Sequence, residues 1–284
     1  MRPVTLCAFA DEAGAAMEQQ ILALRENHIP CLEVRGVDGR NITELTVDEA
    51  KRLRDRLGEK GLRVWSVGSP IGKVEITDAF EPEMERFRHT LELAAALEAS
   101  CIRLFSFYIP QGEDPNLYRD QVLERLDRFC EAARGSGVVL CHENEKGIYG
   151  DVASRCADIH RHCPALRAVF DPANFIQCGQ PAAPAWQELA PFVEYFHIKD
   201  ALEDGTVVPA GKGLGELPRL LEAYFAQGGR VLTLEPHLAV FEGLSALERD
   251  QKSAIGVTVY PSARAAFDAA AAALRTLLGE GLEQ

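Results

Sequence analysis

Four apolar, strand-like runs of this chain lead into a residue able to bind a divalent cation. Val138-Val-Leu-Cys141 passes through His142 to Glu143, and Leu166-Arg-Ala-Val-Phe runs into Asp171. Val193-Glu-Tyr-Phe ends on His197, and Gly229-Arg-Val-Leu-Thr-Leu ends on Glu235. A carboxylate at the end of a buried strand is costly unless a cation meets it. Three carboxylates and one imidazole therefore read as a metal site with room for a substrate. That donor set suits one Mn²⁺, Mg²⁺ or Co²⁺ ion, and Zn²⁺ is compatible with it. Each residue alone has a plainer reading. Asp171 before Pro172 is a common turn former, and a lone His197 is ordinarily a hydrogen-bonded core residue. Their recurrence at successive strand ends carries the argument.

Those four runs are the second half of a longer alternation. The earlier strands are Val4–Phe9, Cys31–Arg35, Arg63–Val67 and Cys101–Ser106. Helical periodicity fills the intervals: to about Glu26, then Val47–Lys60, Pro82–Leu97, Asn116–Arg134 and Asp151–His162. A Pro/Ala-rich loop with a short helix near Trp186 follows Asp171, then Leu217–Ala226 and an Ala-rich closing helix, Ser262–Leu278. Asp151 reads as the N-cap of its helix. Eight strand–helix alternations without a composition break predict a single α/β domain over residues 1–284, a (β/α)₈ barrel. Such barrels place their chemistry where strands end and the following loops begin.

Composition bounds the function. Apolar residues make up 47% of 284 positions, enough for a large core, and no run approaches the roughly 18 residues of a membrane helix. The start, Met1-Arg-Pro-Val-Thr-Leu, lacks a charged-then-apolar signal segment, so the expected location is the cytoplasm, with no membrane partner. Thirty Lys and Arg against 43 Asp and Glu leave −13, which disfavours a nucleic-acid partner. The eight cysteines form no C-x-x-C pair, and several lie in apolar runs. They read as reduced core residues rather than disulfides or a zinc cluster.

At this point the residues resemble a family. Glu143 in H-E-N, Asp171 in F-D-P-A-N, His197 in H-I-K-D and Glu235 in L-E-P look like the xylose isomerase-like barrel superfamily of sugar and sugar-phosphate isomerases and epimerases. The resemblance implies one divalent ion on Glu143, Asp171, His197 and Glu235, and a small sugar or sugar phosphate as partner. It also implies that Glu143 and Glu235 are the catalytic pair, one removing a proton beside the carbonyl and the other returning it. The metal would hold the carbonyl and stabilise the enediolate. Related barrels often pair, so a homo-oligomer is compatible. Related epimerases often carry a substrate-binding His where this chain has Asn174, whose amide can still donate to a hydroxyl. Related endonucleases bind three zinc ions through further histidines. This chain offers Asn174, Gly205 and Val207 in those places, which argues against that activity.

Other residues carry weaker signals. Lys199 shares a side of the extended segment with His197. It reads as a phosphate or carboxylate binder, a proton donor to a leaving hydroxyl, or a solvated partner of Asp200. The proton-donor reading supports an alternative activity, a metal-dependent dehydratase of a keto-polyol or keto acid. A non-catalytic sugar-binding barrel is a third reading. His237 lies two residues after Glu235 and is a candidate for the mouth. Gly211-Lys-Gly-Leu-Gly215 loosely resembles a phosphate loop, although a helix-opening turn explains it. Glu145 and Lys146 read as solvated loop charge, and His142 as a structural residue facing the helices. Glu33 and Arg35 read as an ion pair at the barrel mouth. Trp65, Phe105 and Phe107 read as pocket wall or core.

Overall fold

The computed structural model describes residues 4–241, 255 and 260–279. Eight strands close into a parallel barrel: β1 (Thr5–Ala8), β2 (Cys31–Val34), β3 (Arg63–Gly68), β4 (Cys101–Leu104), β5 (Val139–Glu143), β6 (Arg167–Phe170), β7 (Val193–Ile198) and β8 (Val231–Leu234). Each pairs with its neighbours in sequence, and β8 returns to β1. Around them lie α1 (Met17–Glu26), α2 (Val47–Gly58), α3 (Phe80–Ala96), α4 (Arg119–Ala133), α5 (Ala153–His162), α6 (Pro172–Gln177), α7 (Ala182–Leu189), α8 (Leu217–Ala226) and α9 (Ala263–Leu278). The (β/α)₈ barrel expected from the alternation is the observed architecture. Among the described residues, no helix is long and apolar enough to cross a membrane.

Strand alternation sorts the side chains into two cores. Cys101, Cys141, Val169 and Tyr195 fill the barrel interior, with Trp65, Val139 and Val231 packed against them. The outward residues of the strands join the helices in a larger core that includes Phe87, Phe129, Phe170, Phe196 and Tyr224. Above the Cys–Val–Tyr layer the interior turns polar, with Glu33, Arg103, Glu143 and His197 all buried. Buried charge in a barrel mouth is tolerated only where opposite charges meet, and that sets up the site.

Two sequence expectations shift here. The segment after Asp171 is not a loop but α6, because Pro172 suits the first helical position and Asp171 Oδ1 caps the Asn174 amide at 3.0 Å. Asp151 is not an N-cap. Val152 takes that position, and Asp151 instead forms an ion pair with Arg155 four residues on.

His142 faces the helix layer as expected, its Nε2 2.9 Å from Ser106 Oγ and its ring edge-on to His160. His160 donates from Nδ1 to the Leu166 carbonyl at 3.0 Å. Burial, only partly offset by that bond, pushes its pKa down to about 4. The folded chain therefore binds fewer protons than the unfolded chain below about pH 6.5. The stability from neutral His160 is complete above that pH and lost as pH falls toward 4, by about 3 kcal/mol. Urea unfolding between pH 7 and 4 checks this: His160→Gln is expected to flatten the acid limb, and an unchanged slope would remove His160 from the account.

Candidate metal centre and active site

Glu143 is the last residue of β5, Asp171 and Glu235 follow β6 and β8 directly, and His197 lies near the end of β7. All four are buried, and each offers a ligand atom within 4.8 Å of the others. His197 Nδ1 is 3.0 Å from Glu143 Oε1, 3.4 Å from Glu235 Oε2 and 4.0 Å from Asp171 Oδ2. Its other nitrogen, Nε2, lies 3.1 Å from Glu33 Oε2. Glu33 in turn accepts from the Tyr195 hydroxyl at 2.7 Å. A carboxylate behind the imidazole fixes which nitrogen faces the cluster, an arrangement that orients metal-ligating histidines.

The expected Glu33–Arg35 pair is therefore corrected. Strand β2 ends at Val34, so the two-residue period does not carry Arg35 onto the face of Glu33. Arg35 instead bonds Asp11 at 2.8 and 3.0 Å, Glu12 at 3.1 Å and Glu235 Oε1 at 3.3 Å.

Opposing charges decide the ionisation of each of these carboxyls. Burial pushes Glu143 up, but His197 and Arg103 outweigh it and hold the carboxyl well below the usual range. Burial likewise opposes ionisation of Glu235, and the Lys199 ammonium together with His197 outweighs it. Asp171 has less compensation. Burial raises it, Lys199 offsets only part, and the Glu235 and Glu143 charges bring it to about 7. Glu12 is raised to about 8 mainly by burial, against the pull of Arg35. The mouth thus carries more carboxylates than its own cations neutralise.

Lys199 is drawn into this cluster. Its Nζ is 2.9 Å from Glu235 Oε2 and 2.8 Å from Asp171 Oδ2. The second contact is an ion pair without hydrogen-bond alignment, so Asp171 Oδ2 is buried with no hydrogen bond. Pairing of Lys199 with Asp200 is overturned. Asp200 turns the other way and accepts from the amides of Gly211, Gly213 and Gly215 at 2.8 to 2.9 Å. The glycine-rich loop is therefore filled by a carboxylate of its own chain rather than open to a phosphate. A Cβ at Gly213 would meet Asp200 Oδ1 at 2.4 Å, which explains glycine there.

The other expected substrate contacts line one cleft above the cluster, together with Arg35, Arg103, Glu143 and Glu235. Asn174 donates from Nδ2 to Glu143 Oε1 at 3.2 Å and to the Asn144 carbonyl at 2.8 Å. His237 has its backbone amide 2.6 Å from Glu12 Oε2, and burial keeps its imidazole neutral. Glu145 and Lys146 are not solvated loop charge. Both line the cleft, and Glu145 pairs with Lys73 at 3.1 Å.

Several site residues carried no periodic or motif signal. Arg103, inward on β4, donates to Glu143 Oε2 at 2.7 Å and lies between the rings of Phe9 and Phe105. Phe9 also supports Arg35 and meets His197 edge-on at 5.2 Å. Asn144 brackets the Asp171 backbone with both ends of its amide, at 2.9 and 3.0 Å. An arginine inside an apolar strand was the available clue to Arg103. Phe105 is fully buried under Lys73 and Arg103, whereas Phe107 packs on Phe80 and Phe129 in the helix core.

A divalent cation fits these residues. One imidazole nitrogen and three carboxylates converge, one carboxylate oxygen is buried without a hydrogen bond, and the local charge is in deficit of cations.

No curated protein sequence matches the chain. Solved structures resemble it in fold at low identity. The IOLI protein with a bound zinc atom has a TM-score of 0.74 at 13% identity, covering 99% of this chain and 100% of that one. D-Psicose 3-epimerase with D-tagatose from Clostridium cellulolyticum has a TM-score of 0.73 at 12% identity, covering 95% and 96%. The probable 3-DHS dehydratase AsbF of Bacillus anthracis has a TM-score of 0.68 at 16% identity, covering 82% and 92%. The model of the xylose isomerase-like TIM barrel family matches residues 23–250, and the chain belongs to that family.

Proposed function

We propose that the chain is a divalent-metal-dependent isomerase or epimerase of a ketose or ketose phosphate, acting by proton abstraction beside the carbonyl. The observation that carries this reading is the convergence of Glu143, Asp171, His197 and Glu235 beneath one cleft. A bound divalent ion would supply Lewis-acid polarisation of the substrate carbonyl and so acidify the neighbouring C–H.

The chain's own residues then have separable tasks. Glu143 and Glu235 both approach His197 Nδ1 from different strands, and both are held as carboxylates. One removes the carbon-bound proton and the other returns it. Arg103 and Lys199 stabilise negative charge as it develops on the substrate oxygens, from 2.7 and 2.9 Å behind the two glutamates. Asn174 orients Glu143, and Glu33 orients His197.

A dehydratase of a keto-polyol or keto acid is the second reading, favoured by Lys199. Its ammonium faces the cleft beside Asp171 and Glu235, where it can protonate a leaving hydroxyl. The fold likeness to a probable dehydratase is compatible with it.

The test has two parts. Chelator-free protein loaded with Mn²⁺ is expected to hold about one ion per chain by mass spectrometry, and Asp171→Ala to lose it. Proton NMR in D₂O with a panel of ketoses then separates the reactions. Exchange of one C–H at constant mass supports the isomerase, and a new alkene or enol supports the dehydratase. A chain that binds sugars tightly without exchanging any proton would be a binding protein, and a chain that holds no metal at any loading would end both enzymatic readings.

A further inference from the structure

Away from the barrel mouth, a second group of donors of mixed type meets on the outer surface. Asp127 and Cys130 are spaced three apart on α4, so they share a face of that helix. His162 ends α5 and Cys163 is its C-cap, tied by its amide to the Ile159 carbonyl at 2.8 Å. His162 Nε2 is 2.9 Å from Asp127 Oδ2, and Cys163 Sγ is 3.1 Å from Asp127 Oδ1. The ligand atoms of Asp127, His162 and Cys163 all lie within 4.8 Å of one another. Asp127, Cys130 and Cys163 also border one open surface groove.

We propose that Asp127, His162 and Cys163 form a second divalent-cation site, of the Zn²⁺ and Co²⁺ class, between α4 and the end of α5, with its fourth position taken by water. One sulfur, one imidazole and one carboxylate, with a water in the fourth position, make a tetrahedral zinc donor set. The barrel cluster, with no sulfur, is of the harder kind. Ligands about 2.0 Å from a tetrahedral ion stand roughly 3.3 Å apart, and a sulfur–oxygen pair about 3.5 Å apart. The observed 2.9 and 3.1 Å separations need to open by only a few tenths of an ångström. Half-exposed side chains on Asp127 and His162 permit that movement, while Cys163, 2% exposed, supplies the fixed point.

The hydrogens now present mark the place of the ion. Against an ionised Asp127, both His162 Nε2–H and the Cys163 thiol are donors. Metal entry releases the Cys163 thiol proton and moves the His162 proton from Nε2 to Nδ1, with no change of oxidation state. No local motif announced the site, because β5 and most of α5 separate Asp127 from His162 in sequence.

Cobalt(II) tests this directly, because thiolate ligation gives an ultraviolet charge-transfer band that the barrel cluster cannot produce. Metal-free, fully reduced protein titrated with Co²⁺ is expected to develop that band, and Asp171→Ala to retain it. Cys163→Ser is expected to abolish it while Cys130→Ser retains it, and the exposed His162→Ala to weaken Co²⁺ binding at least roughly tenfold. Absence of the band in the reduced wild-type chain overturns the site, and so does a band that neither Cys163→Ser nor His162→Ala alters.

Discussion

Glu143→Gln and Glu235→Gln are each expected to lower turnover by about 10³-fold while the barrel stays folded. The amide keeps the volume and one acceptor oxygen but cannot take a proton, so the carbon acid loses its base. Glu143 Oε2 accepts from the Arg103 guanidinium at 2.7 Å and Glu235 Oε2 from the Lys199 ammonium at 2.9 Å. Each substitution therefore leaves a buried cation with a weaker partner, which costs on the order of 1–3 kcal/mol of stability. Substrate C–H exchange in D₂O, circular dichroism and Mn²⁺ content measured together separate the contributions. Lost exchange in a folded, Mn²⁺-loaded variant identifies a proton-transfer role. Lost exchange together with lost Mn²⁺ identifies a ligand role. Near wild-type exchange in either variant would remove that glutamate from the mechanism.

The largest stability effect is expected from Asp200→Ala. The Asp200 carboxylate is fully buried and gathers four backbone amides, those of Ala201, Gly211, Gly213 and Gly215, at 2.8 to 3.0 Å. Charge-assisted bonds of this kind are the stronger ones, and a buried amide left without its acceptor retains the full desolvation penalty. Solvent can reach the more exposed end of the loop and satisfy part of the loss, so the expected destabilisation is about 3 kcal/mol. The loop also carries Val207 into the lining of the cleft, so a rise in KM accompanies the loss. Urea denaturation checks the first effect and steady-state kinetics the second. A midpoint within experimental error of wild type would show that the loop holds its shape without Asp200.

These cases show where local sequence information ends. The four metal-ligand candidates were legible because a strand end is a local property. An apolar β-branched run, its length and the turn residues after it place Glu143, Asp171, His197 and Glu235 at one end of one barrel without any knowledge of contacts. The same period placed His142 among the helices, where it lies. Helix ends were legible only in part. Asp151 has the residue type of a cap, yet Arg155 competes for its carboxylate. Asp171 was read as a ligand candidate and turn former, and it is also the cap of α6.

By itself the sequence determined the barrel and the strand ends that carry ligand-type residues, since both follow from periodicity and run length along the chain. Only the tertiary structure decided the partners. His197 meets Glu33 164 positions away, and Arg35 meets Glu235 200 positions away. Lys199 chose Asp171 and Glu235 over its neighbour Asp200, because Asp200 is claimed by three glycine amides 11 to 15 residues downstream. Closing the barrel sets which inward side chains face one another across its mouth, and buried charge then selects among the partners within reach. No period along the chain encodes that selection.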